Sequence, residues 1–282
     1  MKKLLLRLSV LAAISITAVI LLAAALYERE NVPEEAVFMP AIMYHSVCEK
    51  APADYIVTPR QFEQDMIWLK ENGFESVTEQ QLIGYTHGEC DLPEKPVLIT
   101  LDDGFYNNYS EVLPLLEKYD MYAVVSVVGE YTEVNAPADP HIPEYSYLTW
   151  EDIAAMRDSA HFGIGNHTYS MHSLSGGRKG CSRNEGEPLD GYCMAIRSDI
   201  GLLQTQFQMN TGFVPVVFAY PFGAVSRESL PVLRDMGFLI TLNCSERPNL
   251  ITRDPDCLYG ICRYNRSGLY DTASFMQRAT QH

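Results

Sequence analysis

Val97-Leu-Ile-Thr-Leu-Asp102-Asp103-Gly104 is the stretch on which the fold turns. Val97 to Leu101 is a short run with almost no polar face, which reads as a strand buried on both sides. The two carboxylates then fall at its carboxyl end. Adjacent carboxylates repel, so placing both beside a buried strand end is costly unless a cation compensates them. Taken alone, Asp-Asp-Gly is equally a polar turn.

The same alternation of short apolar runs and helical patterns continues on either side. Ala41 to His45 reads as an earlier strand, and Ala123 to Val128, Phe162 to Gly165, Val216 to Tyr220 and Phe238 to Leu242 as later ones. Between them, Thr58-Pro59-Arg60-Gln61 carries a capping Thr, a Pro at the first helical position and a Gln placed to return the bond. Phe62, Met66 and Leu69 give that helix its apolar stripe, and Gly73 can end it. Thr149-Trp150-Glu151-Asp152 is a second start of this kind, and further helices are expected over 110–119, 188–210 and 226–236. Strands separated by helices of this length pair in parallel, which predicts an α/β barrel or a doubly wound sheet. In such folds polar residues at the carboxyl ends of strands build the active site.

The amino terminus differs from the rest. Lys2, Lys3 and Arg7 precede an uncharged stretch from Leu8 to Tyr27. Twenty helical residues rise about 30 Å, enough to cross the hydrocarbon core. Basic residues on its amino-terminal side predict a cytoplasmic start and an exported remainder. Residues 1–30 are therefore expected to be a single-pass membrane anchor. The alternative is a signal peptide cleaved near Ala23-Ala24-Ala25, giving a secreted protein. Residues 31–37 read as a linker and 38–282 as one large domain. A net charge of −15 repels phosphate backbones, so nucleic acid is excluded as a partner. The sequence identifies no protein partner. Seven cysteines without a CxxC pair give no support for a zinc ribbon. Outside the cytoplasm disulfides persist, and Cys181 with Cys193 and Cys257 with Cys262 are candidate pairs, with connectivity left open.

A second polar cluster follows the strand that ends at Gly165: His167-Thr-Tyr-Ser-Met-His172. Neutral imidazoles are common zinc ligands, and two of them with one carboxylate leave a position open for water. A spacing of five places the rings about 140° apart on a helix and on opposite faces of a strand. Both reach one ion only if the segment is a loop or a distorted turn. Two histidines in six residues are also common surface decoration; what raises the metal reading is the acidic pair at another strand end.

With these residues in view, the chain resembles the polysaccharide deacetylases of carbohydrate esterase family 4, over essentially everything after residue 38. The family's Thr-Phe-Asp-Asp-Gly motif stands here as Thr100-Leu101-Asp102-Asp103-Gly104. Its histidine pair is matched by His167-Thr168 and His172, and its Arg-x-Pro-Tyr-Gly-like turn, imperfectly, by Ala219-Tyr220-Pro221-Phe222-Gly223. The resemblance implies a distorted (β/α) barrel in which Asp103, His167 and His172 hold a divalent ion, Zn²⁺ first, with Co²⁺ or Ni²⁺ as alternatives. Asp102 would be the catalytic base, and Phe222 and Tyr220 would line the oxyanion and substrate side. The implied substrate is an N-acetylated glycan, of peptidoglycan or poly-N-acetylglucosamine type, and the product acetate.

Three departures from the family pattern matter. The histidine pair is one residue wider than the commonest spacing, as in exported deacetylases that act on poly-N-acetylglucosamine. The motif arginine that orients the base falls at Ala219, and Arg263 is the candidate to replace it. The carboxyl-terminal Leu-x-His motif is missing; after His172 the sequence has only His282. Ala41-Ile-Met-Tyr-His45 resembles that motif placed early, as in circularly permuted relatives. His45 is therefore expected to be the general acid, its protonated form supported near neutral pH by a carboxylate. Two other readings stay open: an ester or other C–N hydrolase of the same fold, and a catalytically silent carbohydrate-binding protein.

Overall fold

The computed structural model describes residues 36–138, 141–174 and 177–281. Eight strands form one path: β1 (Ala41–Tyr44), β2 (Pro96–Asp103), β3 (Ala123–Val127), β4 (Phe162–Asn166), β5 (Val217–Ala219), β6 (Ile240–Leu242), β7 (Tyr259–Ile261) and β8 (Tyr264–Asn265). Their order across the sheet is β7-β6-β5-β4-β3-β2-β1-β8, and every pairing along it is parallel. The helices are α1 (Pro59–Glu71), α2 (Glu79–Thr86), α3 (Leu113–Tyr119), α4 (Trp150–Asp158), α5 (Leu189–Thr211), α6 (Ser229–Asp235) and α7 (Thr272–Thr280).

The two edge strands, β7 and β8, are consecutive in the chain and separated only by Cys262 and Arg263. They do not pair with each other, so the barrel is open there and Arg263 sits in the seam. Asn249 covers that seam: its side chain accepts from the Cys262 N–H at 2.8 Å and donates to the Cys262 carbonyl at 2.9 Å. Asn249 begins the strand Asn249–Ile251, which pairs antiparallel with Val37–Met39.

Strand parity sorts the core into two layers. Ala41, Leu98, Val124, Val217, Ala219, Ile240, Leu242 and Ile261 fill the barrel interior. Ile42, Tyr44, Ile99, Leu101, Val125, Val127 and Ile164 face outward and pack with Phe62, Met66 and Leu69 of α1 and with Phe207 of α5. The start of α1 has the expected chemistry: Gln61 N–H donates to Thr58 Oγ1 at 3.1 Å, and Thr58 N–H to the Gln61 side chain at 3.0 Å. Thr149 and Asp152 close the same box at α4.

Some expectations on the fold need correction. The strand carrying the aspartates runs on through both of them, to Asp103. The helix expected over 110–119 opens with a π turn, Asn108–Val112, before α3. The seven cysteines are all free thiols, so neither candidate disulfide forms. The Cys257 thiol turns to the Thr252 carbonyl, the Cys262 thiol lies near Asn243 and Arg247, and Cys181 is buried among Tyr192, Ile196 and Tyr220. No helix among the described residues is long and apolar enough to cross a membrane. The expected anchor, Leu8 to Tyr27, and His282 lie outside the described residues.

Candidate metal centre and active site

β2 delivers both carboxylates, to different places. By parity Asp102 continues the inward series of Leu98 and Thr100, whereas Asp103 on a regular strand would point outward. Asp103 instead adopts φ 73°, which breaks the alternation and brings the second carboxylate to the same end of the barrel. Gly104 completes the turn at φ 72°, where a Cβ would stand 2.9 Å from Val127 Cγ1. Only glycine fits there without a shift.

The histidines arrive on the irregular segment that follows β4. No helix or strand covers residues 167–174, and Thr168 holds φ 72°, a costly conformation for a β-branched residue. Phe222, across the site, is also left-handed at φ 58°. Three strained non-glycine residues thus surround one point, the distribution expected where backbone geometry serves a site.

At that point the ligand atoms of Asp103, His167 and His172 lie within 4.8 Å of one another. Asp103 Oδ1 is 3.7 Å from His167 Nε2 and 3.2 Å from His172 Nε2. The His167 Nδ1–H donates to the Ala219 carbonyl at 2.8 Å, which leaves the lone pair of the neutral ring on Nε2, facing Asp103. Burial pushes His167 down to about 4 despite the nearby Asp102 carboxylate, and it lowers His172 as well. Both rings are therefore neutral at physiological pH, the form that binds metal. Burial pushes Asp103 up to about 6, opposed by His45 and aided by the charge on Asp102. Asp103 Oδ1 is buried and accepts no hydrogen bond. Two neutral imidazoles converging on a buried carboxylate oxygen without a donor match the donor set of a divalent cation.

Asp102 stands apart from this cluster, in a different environment. Arg263 donates to both of its oxygens, at 2.7 Å each, and also reaches Thr100 Oγ1 at 3.2 Å and the Asn243 carbonyl at 3.0 Å. Burial alone would raise the Asp102 pKa, but the Arg263 guanidinium overrides it and holds the carboxyl well below the usual range. Asp102 is an oriented carboxylate at every working pH. Each oxygen keeps a lone pair beyond the one Arg263 uses.

His45 follows β1, which pairs directly with β2; the strand before His167 lies two strands farther on. Its backbone is pinned by two buried asparagines: Asn108 donates to the His45 carbonyl at 2.9 Å, and Asn107 accepts from the Val47 N–H at 2.8 Å. The imidazole packs edge-on against Tyr55 and its Nδ1 has no hydrogen-bond partner. One expectation reverses here. Burial lowers the His45 pKa more than Asp103 and Asp102 raise it, so the ring rests neutral.

The structure brings Phe222 to the centre, its ring 4.5 Å from that of His172. It does not bring Tyr220, which shares the outward parity of Phe218. The Tyr220 ring is buried toward α5 and α6 with its hydroxyl 2.7 Å from Ser229 Oγ, out of reach of any substrate. Residues that the sequence did not single out complete the wall. Tyr131 Oη lies 3.2 Å from His172 Nδ1, the Tyr131 ring lies 4.5 Å from Tyr147, and Tyr147 stacks on Phe105 at 5.1 Å. Nothing in a single sequence separates these two tyrosines from the other fifteen among its 17.

Fold and site together define a class: an open parallel α/β barrel whose strand-end carboxylates and imidazoles converge on one point, as in hydrolytic barrels. The chain belongs to the polysaccharide deacetylase family, whose profile matches residues 90–240. It is 26% identical over 221 residues to a poly-beta-1,6-N-acetyl-D-glucosamine N-deacetylase of Escherichia coli K12, covering 70% of this chain and 32% of that protein. The chain thus spans about a third of that relative's length. It is 25% identical over 221 residues to the polysaccharide deacetylase homologue YxkH of Bacillus subtilis, covering 78% of this chain and 69% of the other. Among solved structures, a de-N-acetylase from Aggregatibacter actinomycetemcomitans superposes with a TM-score of 0.72 at 21% identity, covering 86% of this chain and 99% of that one.

Proposed function

We propose that this chain is a zinc-dependent N-deacetylase of an extracytoplasmic glycan of the poly-N-acetylglucosamine type, anchored by residues 1–30. The observation that carries the reading is the separation of roles: the ligand atoms of Asp103, His167 and His172 converge within 4.8 Å of one another, while Asp102 beside them is engaged by Arg263. The E. coli relative, a poly-beta-1,6-N-acetyl-D-glucosamine N-deacetylase, and the five-residue histidine spacing support the glycan, and the basic, apolar amino terminus supports export.

A divalent ion bound by Asp103, His167 and His172 would activate water and polarise the acetyl oxygen. Asp102, held by Arg263, takes the proton from the attacking water. The family resemblance assigns the Phe222 N–H to the developing oxyanion, and its ring beside His172 is consistent with that role. The protonated fraction of His45, which draws its proton from solvent because the ring rests neutral, gives it to the departing nitrogen, an amine anion being a poor leaving group. The amide C–N bond breaks, its carbon keeps the water oxygen, and acetate leaves with a free amine on the sugar. Acetate release from N-acetylglucosamine oligomers, peptidoglycan and acetylated xylan tests this reading. Release from the first alone supports it; release from xylan alone makes the chain an esterase.

Two further outcomes follow. Because His45 rests neutral, His45→Asn should retain fold and zinc yet lose about 10²–10⁴-fold in kcat. The alkaline limb of the pH–rate profile, set by an imidazole whose pKa burial lowers, should vanish in this variant. Near-normal turnover would leave His45 a packing residue. Zinc affinity should also fall as pH drops below about 6, where a proton occupies Asp103 and competes with the ion. Competition titrations at pH 5 and pH 7 would expose this, and equal affinities would contradict it.

A further inference from the structure

The two histidines fix their metal-facing nitrogens by different means. His167 donates from Nδ1 to a backbone carbonyl, that of Ala219, at 2.8 Å. The acceptor belongs to β5, and no side-chain substitution removes it. His172 lies farther along the irregular segment, and the atom opposite its Nδ1 is a side-chain oxygen, Tyr131 Oη, at 3.2 Å. On the other side of the ring, Nε2 is 3.2 Å from Asp103 Oδ1. The phenol is itself held in place. Tyr131 opens a π turn, Tyr131–Asn135, just beyond β3, a local geometry that concentrates at functional sites. Its ring lies 4.5 Å from Tyr147, which stacks on Phe105 with only 21° between planes. Phe105 and Tyr147 are joined by a backbone bridge as well.

We propose that Tyr131 is a positioning residue for the metal centre: its hydroxyl oxygen accepts the His172 Nδ1–H and so presents Nε2, with its lone pair, to the ion shared with Asp103 and His167. The inference rests on the metal reading of the previous subsection. A metal-bound imidazole is oriented by what its other nitrogen bonds, and removing such a partner typically weakens metal binding by about 10–100-fold. The His172 ring also bonds its own backbone; that contact persists whatever stands at 131, so a substitution there reads the share of the phenol.

The test is zinc affinity, measured by competition with a chromophoric chelator, for the wild-type chain, Tyr131→Phe and Tyr119→Phe. Tyr131→Phe keeps the ring packed against Tyr147 and removes one oxygen; zinc binding should weaken about 10–100-fold. Tyr119→Phe removes a hydroxyl that donates to Glu63, outside the site, and should leave the affinity unchanged. Affinity within twofold of wild type in Tyr131→Phe would overturn the proposal. Nitrogen-15 shifts of His172 in the metal-free wild type supply a second measurement that needs no variant. The Nδ1–H tautomer is expected, and a dominant Nε2–H tautomer would overturn the inference. Failure of the wild-type chain to bind zinc at all would instead overturn the metal reading, and this inference with it.

Discussion

Replacing His167 and His172 together by Ala is expected to abolish zinc binding and reduce acetate release to background. Three protein ligands are the usual minimum for a catalytic zinc site, and the double variant leaves one carboxylate. The metal-free fold should survive. His167 is buried and neutral and gives one hydrogen bond to Ala219, so its loss leaves a small cavity and one carbonyl without its donor. Metal analysis after dialysis, beside a thermal melt, separates the two effects. Stoichiometric zinc in the double variant would remove these residues from the site.

Asp102→Asn is expected to behave in the opposite way, keeping zinc while losing about 10²–10⁴-fold in kcat. Its stability should fall too, because Asn neutralises one half of a buried pair. Arg263 is 0% exposed and would keep a full charge opposite a neutral amide. Breaking a buried pair costs about 3–5 kcal/mol when one partner is removed outright, and Asn, which still offers one oxygen, should cost less. Asp102→Asn combined with Arg263→Met removes the stranded charge, so it should recover stability without recovering turnover. Recovery of activity in the double variant would mean that Asp102 serves only to neutralise Arg263. The pH dependence has a definite sign: the Asp102 carboxyl is depressed in the folded state, so its stabilisation is complete above the ordinary carboxylate range. It is lost only as pH falls toward the folded-state value.

How far the sequence carries this picture follows from the range of each signal. Short-range signals read correctly: the Thr58–Gln61 and Thr149–Asp152 boxes, the apolar run ending in Asp102-Asp103, and the histidine pair on a segment too irregular for helix or strand. Strand parity was also available, and applied to Val217–Tyr220 it would have turned Tyr220 outward with Phe218. Long-range partners were legible only where the family resemblance supplied them, as it did in nominating Arg263 for Asp102. Arg263 reaches Asp102 across 161 positions of sequence because the open edges of the barrel meet at residues 262 and 263. Asp65 and Arg266 form a second fully buried pair, bonded at 2.7 Å with Tyr44 donating at 3.0 Å, and nothing local marks either residue as internal. The resting charge of His45 escapes the sequence for a related reason. Sequence places carboxylates near it but does not give the burial that outweighs them.

The central claim is that two strand-end clusters make one metal centre. Zinc-loaded crystals, with diffraction measured on both sides of the zinc absorption edge, test it most directly. The account predicts a single strong anomalous peak about 2.0–2.2 Å from one oxygen of Asp103, His167 Nε2 and His172 Nε2, with Asp102 still paired to Arg263 and outside the ligand set. A peak elsewhere, or one liganded by Asp102 or His45, would contradict it.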